Sequence, residues 1–367
     1  MPVISVDISR FLEMTGKYPL IDVRSPAEFH HAHVPGAHNV PLFSDEERSV
    51  VGTLYKQCGR QKAVLRGLDY FGPKMKGIID KAESIIASHG KKSDSDGAPV
   101  VLVHCWRGGM RSAGVAWLLD LYGFTVYTLS GGYKAFRKWV LDTFETPIPL
   151  NVLGGFTGTG KTRILACLKE MGKRVIDLEG LASHRGSAFG ALGMDGQPSQ
   201  EMFENLLAVV IHDNSGLLQA DNPDIVSTST SALDRVWIED ESQRIGRVNI
   251  PMSFWNHMRS QPVHFIELPF DIRLENIYAE YGSFEKDQIA AGITRVRKRL
   301  GGLETKTAIG RLIEGDVRGS FEILLRYYDS TYEKSLSNRT NAESLIRKVK
   351  IDHANERRIA ELIHTMT

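Results

Sequence analysis

The 367-residue chain is 42% hydrophobic and sets 45 Lys+Arg against 44 Asp+Glu, a formal net charge of +1. That length suits two domains, and the near-neutral balance leaves any nucleic-acid surface to a local patch rather than a global field. No apolar run approaches the roughly 18 residues of a membrane helix, and the opening MPVISVDISRFLEMTG is of mixed polarity, unlike a signal peptide. Three scattered cysteines, Cys58, Cys105 and Cys167, exclude a disulfide framework or metal knuckle. The expectation is a reduced, cytoplasmic protein with no membrane partner.

In chain order, YPLIDVRSPAEF (18–29) predicts a short buried strand, a turn opened by Ser25-Pro26 and a helix start. VPGAHNVPL (34–42) is turn-rich with a short strand at its end. Residues 43–90 are predicted mostly helical and carry a basic run, Lys56, Arg60, Lys62, Arg66, Lys74 and Lys76. GKKSDSDGAP (90–99) reads as a solvated loop. A strand at 100–104 leads into HCWRGGMRS (104–112) and then the helix SAGVAWLLDLYG. FTVYTLSGG (124–132) is a further strand ending in a glycine turn. Strands alternating with helices indicate a parallel sheet. His30, His31, His33 and His38 lie in a loop without a partner carboxylate or cysteine at useful spacing, so no metal site is expected there.

Five residues separate Cys105 from Arg111. Successive backbone amides after the cysteine and the start of the helix make a concave anion site. The same field lowers the thiol pKa and makes Cys105 a candidate nucleophile. Arg111 can fork onto two oxygens of a tetrahedral oxyanion. Arg107 points either into the loop or toward a partner. Cys167 falls inside a helix as a core residue, and Cys58 sits in a polar stretch with no local activator.

FETPIPLNVLGG (144–155) has the two prolines, the turn and the new buried strand of a boundary. The expected division is 1–143, 144–270 and a helical, charged region over 271–367. Strand candidates in the second part are LNVLGG, KRVIDLEG, DIVSTST, RVWIED and VHFIEL. GFTGTGKT (155–162) satisfies G-x-x-x-x-G-K-[ST] between a buried strand and a helix. Gly155, Gly158 and Gly160 let backbone amides turn around phosphate oxygens, Lys161 supplies a point charge, and Thr162 a hydroxyl for Mg²⁺ or phosphate. Asp177, Glu239, Asp240 and Glu241 are candidates for positioning metal or water. The fold class is therefore α/β, a parallel-sheet domain followed by a P-loop NTPase-like α/β domain with a helical C-terminal part.

IDVRSPAEF, HVPGAHNVP, the cysteine loop and LSGGYKAFRKWV together resemble the rhodanese family over residues 1 to about 140. Sulfur-carrying rhodaneses usually place four residues between cysteine and arginine. The five found here are as in phosphatases related to the fold, and the wider loop suits a phosphate-sized anion. A rhodanese-like domain joined to a phosphate-loop domain is similar to the tRNA 2-selenouridine synthase family across essentially the whole chain. CWRGGMRS, GGFTGTGKT, LEGLASHRGSAFG (178–190) and WIEDESQRIG (237–246) carry that likeness.

The resemblance implies a tRNA-modifying transferase acting on wobble 2-thiouridine in the anticodon stem-loop. It attaches a geranyl group to sulfur from geranyl diphosphate, then replaces the geranylthio group with selenium from selenophosphate. No tightly bound cofactor or metal is expected, and a need for Mg²⁺ stays open. Cys105, with Arg107 and Arg111, would take selenophosphate, either binding it or accepting selenium as a perselenide. Lys161 and Thr162 would hold the diphosphate. His184 and Arg185 would contact phosphate or uridine. Ser187, Phe189 and Gly190 would shape a pocket or stacking platform. The helix at EMFENLLAVVIH would line an apolar channel. The 56–76 insert and Arg295, Arg297, Lys298 and Arg299, with Tyr327 and Tyr328 elsewhere, would track tRNA phosphates. The competing reading is a CX₅R phosphatase fused to a P-loop kinase-like domain, although no general-acid aspartate loop is evident.

Overall fold

Short aliphatic runs bounded by proline, glycine and polar turns build the first sheet. Its strands are β1 (Ile4–Val6), β2 (Leu20–Asp22), β3 (Ala37–Asn39), β4 (Val100–His104) and β5 (Thr125–Leu129), in the order β1-β5-β4-β2-β3 and all parallel. The central strand β4, VVLVH, is buried at every position, as a parallel strand covered on both faces must be. The computed structural model describes residues 3–90, 93, 97–215, 235–337, 339 and 341–366. The expected strand at 224–230 lies outside them. The chain divides into two units, Met1–Thr143 and Phe144–Thr367.

In the first unit the stretch 43–90 forms helices Asp45–Cys58, Arg60–Phe71 and Met75–Ser88. Ser44 opens the first through a capping box with Glu47. Phe71, Ile78, Ala82 and Ile86 join Ile21, Val101 and Val103 in one core. The basic run in this insert is partly neutralised: Arg66 pairs with Asp69, Lys74 with Glu47 and Lys76 with Asp80.

The second unit repeats the parallel logic with β6 (Leu150–Gly155), β7 (Val175–Ile176), β8 (Val236–Glu239), β11 (Val263–Glu267) and β12 (Ile346–Lys350), ordered β12-β11-β6-β8-β7. The antiparallel pair β9 (Arg244–Ile245) and β10 (Val248–Asn249) turns at Gly246. KRVIDLEG does not run on as one strand. Asp177 accepts from the Gly180 amide and caps the helix Leu178–Ala182, which ends the strand after two residues.

The region 271–367 is not purely helical. Ile346–Lys350 pairs in parallel with β11, Val263 opposite Ile346, and the helix Glu356–Thr365 buries Ile359, Ala360 and Ile363 with Ile164, Leu165 and Leu168. IRKVK is mostly charged and buries only Val349, as befits an edge strand, so its periodicity gives no core signal. The helices Phe270–Tyr281, Lys286–Arg295, Gly302–Ile313 and Val317–Ser337 enclose a separate core containing Phe189, Leu274, Ile289, Ile293, Phe321 and Leu324.

Candidate functional site

In the first unit, Cys105 stands at the C-terminal end of β4, where a parallel sheet leaves space for a ligand. Its Sγ lies 3.2 Å from Ser112 Oγ and accepts from the Gly109 amide at 3.3 Å. Burial opposes the thiolate. The Ser112 hydroxyl and the amides of Ser112, Arg107 and Gly109 outweigh it and hold the thiol below its ordinary range. Residues 106–110 are exposed, so the loop faces solvent above a buried sulfur.

The floor of the loop is backbone. The Tyr133 amide donates to Cys105 O at 2.8 Å and the Lys134 amide to Trp106 O at 3.0 Å. Gly132 has φ +60°, and a Cβ there would overlap Cys105 O and Gly108 N. Only glycine lets these two turns meet. Beneath them, Arg24 is clamped to Asp22, with Nη2 2.6 Å from Oδ2, and its guanidinium sits 3.8 Å from the Tyr133 ring centroid. His104 is fully buried 3.7 Å from Asp22, and burial lowers its pKa.

Arg111 Nη1 donates to Glu28 Oε2 at 2.7 Å in a partly buried ion pair. Arg107 is exposed.

In the second unit, Thr157–Arg163 forms one wall of a cavity of about 790 Å³. Lys161 Nζ donates to Gly155 O at 3.3 Å and lies 5.5 Å from the Tyr332 ring centroid. Burial opposes its charge, but Tyr332, Glu241, Glu179 and Asp240 outweigh that and hold its pKa above the ordinary value. Thr162 Oγ1 donates to Glu179 Oε2 at 2.7 Å. Asn276 Nδ2 donates to Gly158 O at 2.9 Å. Arg273 donates to Thr157 O at 3.1 Å and makes a two-toothed pair with Asp329 at 2.8 and 2.7 Å. The phosphate loop is thereby fastened to the helix Val317–Ser337.

The acids named from sequence separate. Asp177 is a helix cap and does not line the cavity. Glu239 is buried behind it, where Oε1 accepts from the Glu179 amide at 2.7 Å; burial and neighbouring acids raise its pKa well above the usual carboxylate range. Asp240 lines the cavity and pairs with Arg339 at 2.8 Å. Among the described residues no cluster of three His, Cys, Asp or Glu could hold a metal ion.

The segment after Ala182 wraps the other wall. His184 and Arg185 follow the helix Leu178–Ala182, with Ser183 in the left-handed region. His184 is buried, and its Nδ1 has no hydrogen-bond partner. Arg185 pairs with Glu280 at 3.0 Å. Ser187 accepts from the Phe189 amide at 3.2 Å, and the Ala188 amide donates to Tyr328 Oη at 2.8 Å. Phe189 is no stacking platform. It is 3% exposed and packs among Tyr281 and Phe321. The helix Gln200–Ser215 likewise buries Phe203, Leu207, Ala208 and Ile211 in the core, and none of its described residues lines this cavity.

Arg295 and Arg299 line the cavity with Tyr327 and Tyr328, whereas Arg297 is exposed away from it. Sequence reasoning missed Glu179 and Arg273. Both are ordinary charges in helical segments, and only the fold carries them to the loop. Cys167 packs against the core around Leu165, and Cys58 is exposed.

A family model described as the tRNA 2-selenouridine synthase AAA domain matches residues 148–356, more than half of the chain, and a rhodanese-like domain model matches residues 8–138. A tRNA 2-selenouridine synthase of Shewanella oneidensis is 34% identical over 365 residues, covering 90% of this chain and 89% of that protein. The one from Pseudomonas fluorescens is 34% identical, covering 81% and 80%. That of Nitrosomonas europaea is 37% identical, covering 72% and 63%. Two sites on two α/β units, matched along almost their whole length, place this chain in the tRNA 2-selenouridine synthase family of enzymes.

Proposed function

We propose that the protein modifies the wobble nucleotide of tRNA, converting 5-substituted 2-thiouridine to 2-selenouridine through an S-geranyl intermediate, with geranyl diphosphate and selenophosphate as co-substrates. The observation that carries this reading is the phosphate-loop cavity. Its lining brings the part-buried Lys161 together with Ile277, Tyr281, Val296 and Tyr328, which supports an anionic head and an apolar tail held side by side. The Cys105 loop supplies the second requirement, a low-pKa thiol ringed by amides.

The order of the chemistry follows from leaving-group ability. Hydrosulfide departs poorly from an undistorted thiocarbonyl. S-alkylation forms a C–S bond to the allylic carbon as its C–O bond breaks and diphosphate leaves; Lys161 stabilises that departure. Water takes the phosphoryl group of selenophosphate as the P–Se bond breaks, giving phosphate and hydroselenide; hydroselenide then adds at C2 and geranylthiol leaves. The phosphatase–kinase alternative has less support, because both halves match one synthase family.

The test is mass spectrometry of wobble 2-thiouridine tRNA incubated with geranyl diphosphate, with and without selenophosphate. Lys161→Ala is expected to leave 2-thiouridine in place, with alkylation down about a hundredfold or more. Cys105→Ala is expected to accumulate geranylated tRNA. Wild-type protein that alters no tRNA while hydrolysing ATP would overturn the proposal.

A further inference from the structure

S-alkylation of 2-thiouridine has a proton balance that the phosphate loop does not meet. The ring loses its N3 hydrogen when sulfur takes the alkyl group, because the product is a 2-alkylthio-4-pyrimidinone with a bare N3. When selenium replaces the alkylthio group, N3 regains a hydrogen. One group at the ring can serve both halves, provided it is neutral in one state and anionic in the other.

The cavity holds such a group. Glu241 follows β8, is 7% exposed and lines the cavity. Among the described residues no side-chain donor bonds its carboxylate, whereas each neighbouring acid is committed: Glu179 to Thr162, Glu239 to the Glu179 amide, Asp240 to Arg339. Gly186 turns with φ +64°, and a Cβ there would stand 2.8 Å from Glu241 Oε2 and 3.1 Å from Glu179 Oε1. The two carboxylates thus flank one glycine, on the same face as His184 and Arg185.

We propose that Glu241 is the acid–base residue of the reaction at the uridine ring, taking the N3 proton as sulfur is alkylated and returning it as selenium enters. This rests on the function proposed above. In the first half the sulfur lone pair forms the S–C bond, the C–O pair leaves with diphosphate, and the N3 proton passes to Glu241. In the second, hydroselenide, released with phosphate as water cleaves the P–Se bond of selenophosphate, adds at C2, the C–S bond breaks, geranylthiol departs with the selenium-borne proton, and Glu241 reprotonates N3. The groups facing Glu241 are Lys161, Glu179, Asp240 and Tyr332, with Arg259 and Arg185 on the same cavity wall. Burial, then the charge of Glu179, push its carboxyl up to about 8 against the pull of Lys161. Both forms are therefore populated near neutral pH.

The test compares wild type with Glu241→Gln, which keeps the side chain's size, and Glu241→Asp, which keeps its chemistry. Geranylation of 2-thiouridine tRNA is followed from pH 6.5 to 9.5, with inorganic diphosphate binding as the control. Glu241→Gln is expected to lower the geranylation kcat about a hundredfold at pH 7, with the diphosphate Kd within about twofold of wild type. The defect should close toward high pH, where the ring ionises unaided, and Glu241→Asp should restore part of the rate. A Glu241→Gln enzyme equal to wild type at pH 7, or one equally impaired at every pH, would overturn the assignment while the geranyl reading stands. No geranylation by wild type would remove both.

Discussion

Gly132→Ala tests whether the cysteine loop is held by a backbone floor. The residue has φ +60°, and an added Cβ overlaps backbone atoms of Cys105 and Gly108 that cannot rotate away. Left-handed backbone costs a non-glycine residue about 1–2 kcal/mol, and overpacking in a well-packed site adds about 1–3 kcal/mol. Gly123→Ala isolates the first cost. That residue has φ +110° at the end of the helix Met110–Tyr122, with nothing within 4 Å of an added Cβ. Gly132→Ala should therefore destabilise the first unit by about 3 kcal/mol. That corresponds to about 10 °C in the first unit's transition by scanning calorimetry, against about 1 kcal/mol for Gly123→Ala. The same variant should slow selenium incorporation far more than geranylation, since only the first unit is disturbed. Equal destabilisation by the two substitutions would refute the floor argument.

Ser112→Ala removes the hydroxyl 3.2 Å from Cys105 Sγ, one of the donors that hold the thiol low. The thiol pKa should rise, the thiolate fraction at pH 7 fall, and iodoacetamide alkylation of Cys105 slow about fivefold; an unchanged pH–rate curve for alkylation would show that the backbone amides alone set it. Phe189→Ala should destabilise the protein by about 3–5 kcal/mol, measured by urea unfolding, since the ring is core. If the variant instead folds normally and loses tRNA affinity, the stacking role expected from sequence returns.

The two glycine-loop motifs, the parallel α/β character of both halves and the placement of Cys105 and Lys161 at strand–loop–helix junctions were legible in the sequence. Each is a local feature, a strand followed by a glycine loop and a helix, in which adjacent residues do the work. Asp177 was misread because a helix cap and a water-positioning acid look alike at a strand end. The side chain's bond to the Gly180 amide, three residues on, decided it. Phe189 and the helix Gln200–Ser215 were misread because apolar side chains do not disclose whether they face a ligand or a core. Arg111 lies after the loop as expected, and its ion pair joins it to Glu28, 83 residues away in sequence. Tertiary structure alone put Glu179 against Thr162, Arg273 against Thr157 and Glu241 into the cavity. Those pairings join separate elements of the fold, and no spacing along the chain encodes which buried charge will meet which.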